Sequence, residues 1–196
     1  DSSKPIITLA TIDRTQVTTT DITLPESVYS AGTTHQFSFG DWGQGERYLT
    51  MQHIHDGHEE WLVVDTKQVE KSRLLPAVGD AHPTKLYYDP RSNTALFALY
   101  SDGVIRTYQL QSGELEDIPL QSIAAFSFID DRHLLYTTLA TNNVTTVGYL
   151  TLTTKKPRTI ASYHTSEPVF VTAAKYFDQY YISMATGKSV TITTTQ

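Results

Sequence analysis

The chain is 196 residues long, 39% hydrophobic and 18% charged, enough apolar content to bury a core in one large all-β domain or two small ones. Its formal net charge of −6 argues against a nucleic-acid partner, because a phosphate backbone needs a basic footprint and the Lys and Arg residues here are scattered. The absence of cysteine excludes disulfides and thiolate metal sites, and no apolar run approaches the roughly 20 residues of a membrane helix.

Thirty residues are threonine, and they accompany Tyr, Val, Ile and Phe, the side chains that suit a pleated surface. Helical periodicity is absent. The Thr-rich, cysteine-free composition points to an extracytoplasmic place at the surface of a bacterium. The opening residues DSSKPIITL lack the charged start and apolar middle of a signal peptide, so no membrane insertion by this segment is expected.

Short polar turns centred on Gly57, Gly103, Asn143 and Gly187 divide the chain at spacings of 46, 40 and 44 residues, a period that belongs to four-stranded propeller blades. In chain order the first element is an incomplete blade over 5–25, in which Ile6 to Ile12 and Asp21 to Pro25 match a third and a fourth strand. A full blade follows over 35–75: HQFSF, the glycine-rich turn GDWGQG, ERYLTMQH, a turn at Asp56 and Gly57, EEWLVVDT and VEKSRLL. The clearest unit spans 85–119, where KLYY, TALFALY, VIRTYQL and ELEDIP alternate with turns containing Pro90, Gly103 and Gly113. Proline presets the first corner of a turn and glycine takes the positive φ of a tight hairpin, so each punctuates the strands without breaking them.

The order recurs over 124–163, with turns at Asp130 and Asp131, at Asn142 and Asn143, and at Lys155, Lys156 and Pro157. An incomplete blade over 170–196 supplies three strands. Inner strands such as ALFALY and HLLYTTL are apolar on both faces and the fourth strands are polar, as expected where sheets pack between neighbouring sheets. The expected fold is therefore an all-β, single-domain β-propeller of about four to five blade equivalents, with a β-sandwich as the structural alternative. The incomplete ends fit either a ring closed by pairing the two ends or a fragment of a larger ring, with further blades of the same protein or a second copy as partners.

In a propeller, turns between second and third strands share a face with the connections between blades. That face collects His53, His55 and His58 around one turn and His82 and His164 in connections, with His35 just after another; His133 falls at the opposite end. His53 and His55 are two apart on a strand and project to one side, and His58 approaches them across the hairpin. Such imidazoles suit zinc, nickel or copper or pH-dependent binding, so His53, His55 and His58 are candidate ligands of a divalent metal, the one cofactor the motif admits. The plainer reading, which outweighs the metal site, is that Asp56 and Gly57 simply make the hairpin turn while the polar histidines face solvent. HIHDGH departs from the HxHxDH pattern of metallo-β-lactamase-type hydrolases, since Asp56 stands one place too early.

The loop Gly40 to Gly45 is expected to present Trp42 as a platform for a sugar or a peptide, or to fold the ring back onto the blade. Trp61 reads as core. A hydrolase would need paired carboxylates, and the first strands HQFSF, KLYY, AAFSF and FVTAAKY contain none. Asp80, Asp102 and Glu167 are the remaining candidates for that alternative, and neither a GxSxG nucleophile elbow nor a phosphate-binding glycine loop is present. Asn143, Val144 and Thr145 form a glycosylation sequon.

WD, kelch and YWTD signatures are absent, yet the repeated units resemble degenerate propeller regions of bacterial surface proteins that follow a membrane anchor and PEGA repeats, as in Saccharibacteria. That resemblance implies an extracytoplasmic binding or scaffold role. The expectation carried forward is a non-enzymatic module whose binding residues are His53, His55, His58, His82, His164 and Trp42, with a protein or cell-surface glycan as ligand.

Overall fold

A computed structural model describes residues 4–43, 45–165, 169–176, 179–186 and 190–195. Among them the regular elements are strands and two single-turn 3-10 helices, and no helix is long and apolar enough to cross a membrane. The chain divides into two compact units, Asp1–Val78 and Gly79–Gln196.

In the first unit β1 (Ile6–Ile12) and β2 (Val17–Thr23) form an antiparallel hairpin, followed by a 3-10 turn at Glu26–Val28. Strands β3 (His35–Trp42), β4 (Tyr48–His55), β5 (His58–Asp65) and β6 (Arg73–Leu74) then pair in sequence order as a four-stranded antiparallel sheet. Alternation decides which side chains meet: Ile7, Ile22, Leu24 and Val28 pack on Leu49, Met51, Leu62 and Val64, all buried. Each large apolar side chain so buried contributes about 1.5–3 kcal/mol. The hairpin between β4 and β5 is a two-residue turn with positive φ at Asp56 (46°) and Gly57 (83°), the combination that matches the twist of the flanking strands.

Two expectations change here. The GDWGQG segment is not wholly a loop, because β3 continues to Trp42 across a β-bulge: Phe39 pairs with Met51, and Trp42 is the next residue in register, opposite Leu49. The buried Thr50 hydroxyl holds the bulge, accepting the Asp41 N–H at 2.8 Å and donating to the Asp41 carbonyl at 3.1 Å. Along VEKSRLL only Arg73–Leu74 is strand, preceded by a second 3-10 turn at Val69–Lys71. Asp65 starts that departure by accepting the N–H groups of Lys67 and Gln68 at 3.0 Å, which bends the chain before it can extend.

The second unit is built from β7 (Pro83–Tyr88), β8 (Ala95–Tyr100), β9 (Ile105–Gln109) and β10 (Leu115–Asp117), then β11 (Ile123–Phe128), β12 (His133–Thr138), β13 (Val144–Thr151) and β14 (Lys156–His164). Strands β15 (Phe170–Tyr176), β16 (Gln179–Ala185) and β17 (Val190–Thr195) complete it. Each group is an antiparallel meander paired in chain order, of four, four and three strands. All six residues of β8 are buried, whereas β10 and β14 are largely exposed, as the apolar gradient predicts.

The sheet β11 to β14 is covered on both faces. Leu134, Tyr136 and Leu150 join Phe97, Leu99 and Ile105 in one core, while Leu135 and Val147 join Ile182 and Met184 in another. One turn shifts: β14 begins at Lys156, and Pro157 pairs opposite Leu150 inside the strand. Proline is tolerated there because β14 is an edge strand of its sheet and needs no N–H on the outer side. The turn expected at Gly187 lies outside the described residues.

Candidate functional site

The side chains of the first unit that stand out are arranged by β3. Residues facing the same side of a strand alternate, so His35, Phe37 and Phe39 lie in one row, opposite His55, His53 and Met51 of β4. The bulge advances β3 by one extra residue and returns Trp42 to that same side, opposite Leu49. β3 is an edge strand of its sheet. Phe39 is 67% and Trp42 45% exposed, whereas Phe37 is half-buried under Tyr29, whose ring meets it edge-on at 5.6 Å. Between β3 and the segment from Glu26 to Gly32 runs a groove of ≈ 400 Å³, lined by Tyr29, His35 and Phe37 among others.

Behind the groove the aromatic row continues as a histidine ladder. His53 is fully buried, stacked parallel to Phe37 at 4.3 Å and to His35 and His55 at 5.1 Å. His35 Nε2 lies 3.1 Å from the Gly32 carbonyl, His35 Nδ1 lies 2.9 Å from His53 Nε2, and His53 Nδ1 lies 2.7 Å from Glu60 Oε1. The carbonyl and the carboxylate at the two ends only accept. His35 therefore donates its Nε2–H to Gly32 and His53 its Nδ1–H to Glu60.

Glu60 is prepared for this position. Burial pushes its carboxyl up, but the Ser30 hydroxyl (2.6 Å) and amide (2.8 Å) donate to it, and together with His53 they hold it below the ordinary glutamate value. Asp56 lies at the solvent end of the ladder. Its carboxyl is held well below the usual range, first by the Thr33 hydroxyl and then by the Thr33 and Thr34 amides, and it so ties the loop before β3 to the β4–β5 turn.

His53, His55 and His58 are close together as expected, with His55 and His58 paired across the turn, but they do different things. His53 is core, His55 is partly covered and 3.7 Å from Glu60 Oε2, and His58 is exposed. Among the described residues no group of three or more His, Cys, Asp or Glu side chains is arranged to hold a metal ion. His82 and His164 belong to the second unit, the former paired to Ser101 through its backbone N–H at 3.2 Å. Asp102, one hydrolase candidate, is bonded through both carboxylate oxygens to Arg106 at 3.1 and 2.7 Å. Asp80 is exposed, and Glu167 lies outside the described residues.

Glu60, Ser30, Tyr29, Phe37 and His35 were not singled out as binding residues by the sequence. Glu60 was within reach of it: a two-residue turn at Asp56 and Gly57 places residue 58 opposite 55 and residue 60 opposite 53. Ser30 and Tyr29 carry no such signal, because they reach the ladder from an irregular segment.

No protein-family model and no curated protein matches the sequence. Among solved structures the chain is similar to TolB from Acinetobacter baumannii, with a TM-score of 0.49 and 10% identity over 93% of this chain and 52% of that one. It is also similar to the N-terminal domain of Nup159 (TM-score 0.44, 11% identity, 81% of this chain and 47% of that one). A chain of the nidogen/laminin complex gives a TM-score of 0.44 and 11% identity over 81% of this chain and 61% of that one. The chain thus spans about half the length of those it resembles.

Proposed function

We propose that this chain is a non-enzymatic binding module, a propeller or part of one, that engages a protein partner through the aromatic row of β3. The observation that carries this reading is the exposure of Phe39 and Trp42, side by side with the groove at Tyr29 and Phe37. Aromatic side chains offer large contact areas at low conformational cost and are enriched where partners dock. Stacked blade-like meanders support the propeller reading, since rigid sheets hold such a row in place. A non-catalytic role is supported by the engagement of Glu60 and Asp102 in internal hydrogen bonds. The cysteine-free, Thr-rich composition supports a place at the bacterial surface.

Selection of a displayed peptide library against the full chain tests the reading. Peptides should be recovered whose binding falls about tenfold or more in Phe39→Ala and Trp42→Ala, the loss typical of an aromatic anchor. Recovery of peptides indifferent to both changes, or capture of cell-wall glycans alone, would overturn it.

A further inference from the structure

We propose that the groove between the segment Glu26 to Gly32 and strand β3 takes a cationic side chain, a guanidinium or an ammonium, from the peptide bound along β3. The inference rests on the protein-binding reading above and adds the chemistry of the residue recognised.

Charge is distributed unevenly along the chain. Residues 1–78 contain eleven acidic and six basic residues, so five of the six net negative charges belong to the first unit. Its carboxylates are not equally available. Glu60 is bonded to Ser30 and His53, Asp56 to Thr33 and Thr34, and Asp65 to Arg47 at 2.7 Å. Glu26 lines the groove with an exposed side chain and is ion-paired to Lys4 Nζ at 3.5 Å, itself more than half exposed. An exposed pair of that kind is weak and readily exchanged. The chain's own ammonium group therefore marks where a cation rests, and a ligand cation would compete with it.

The rest of the groove suits the same guest. Tyr29 and Phe37 meet at 89° and form an aromatic corner, and the face of an aromatic ring attracts a cation within about 6 Å of its centroid. His35 is engaged within the chain, its Nε2–H donated to the Gly32 carbonyl and its Nδ1 2.9 Å from His53 Nε2. A planar guanidinium fits best, stacking on one ring while a fork of N–H groups reaches the Glu26 carboxylate.

The test uses the full chain and N-acetyl-arginine amide as the probe, with N-acetyl-citrulline amide as its neutral isostere. Ring resonances of Tyr29 and Phe37 should shift saturably with the arginine probe and about tenfold more weakly with citrulline, as expected of charge recognition at a partly exposed aromatic site. Glu26→Gln should weaken arginine binding severalfold, and Lys4→Ala should strengthen it by removing the competitor. Equal binding of citrulline, indifference to Glu26→Gln, or no shift with arginine overturns the inference. If library peptides still bind in a Trp42-dependent way while showing no cation preference, the binding-module reading stands and this one fails; if none depends on Phe39 or Trp42, the broader reading fails first.

Discussion

Glu60 and Gly148 show how much one position can decide. The Glu60 carboxylate takes two hydrogen bonds from Ser30 and one from His53, so Glu60→Gln removes the negative charge those donors face and leaves an amide donor aimed at donors. The expected cost is about 1–3 kcal/mol, read as a lower urea midpoint at unchanged slope. At Gly148 an added Cβ would fall 2.5 Å from the Tyr136 hydroxyl and 2.6 Å from the Arg158 carbonyl. One neighbour is backbone, so the clash cannot be relieved by a rotamer change. Gly148→Ala should lower stability by about 1–3 kcal/mol, measurable in the same urea titration, whereas Gly57→Ala meets nothing within 4 Å and suffers only from its φ of 83°.

Strand assignment was legible wherever alternation and turn chemistry agreed. ALFALY between a proline turn and a glycine turn could hardly be anything but the buried β8. At β3 the two signals conflicted, because glycines usually announce a loop, and the Thr50 hydroxyl converted part of that loop into a bulge. The consequence is geometric, since the bulge re-aims Trp42 into the row of Phe37 and Phe39. The β12–β13 turn offers a clean test of turn chemistry. Asn142 and Asn143 both have positive φ, 52° and 60°, so Asn143→Gly should be neutral or stabilising, while Asn143→Val should cost about 1–2 kcal/mol by forcing a branched side chain into the left-handed region. Thermal unfolding of the two variants against the parent decides the point.

Across the chain, several carboxylates are held low in the folded state: Asp102 by the Arg106 guanidinium, and Glu60 and Asp65 by hydrogen bonds that outweigh their burial. A carboxylate with a depressed folded pKa contributes stability that is complete above its unfolded value and is lost as pH falls through the folded one. Stability should therefore decline as pH drops below about 4, and the decline should be shallower in Glu60→Gln. Urea midpoints measured across the acid range check this, and an unchanged midpoint down to the lowest pH would contradict it.

Local chemistry, in residues close along the chain, already specified the antiparallel meanders, their turns and the polar outer strands, because strand periodicity and turn propensity are short-range. His53 and His55 were visible as a pair for the same reason. The burial of His53, its anchoring by Glu60 and Ser30 and the groove beside Tyr29 were decided only by tertiary structure. Ser30 and Glu60 are 30 residues apart, and no local pattern states which irregular segment will fold over a sheet. That choice is made by the packing of Val28 and Tyr29 on the sheet core, a long-range hydrophobic contact that carries the polar groups into place.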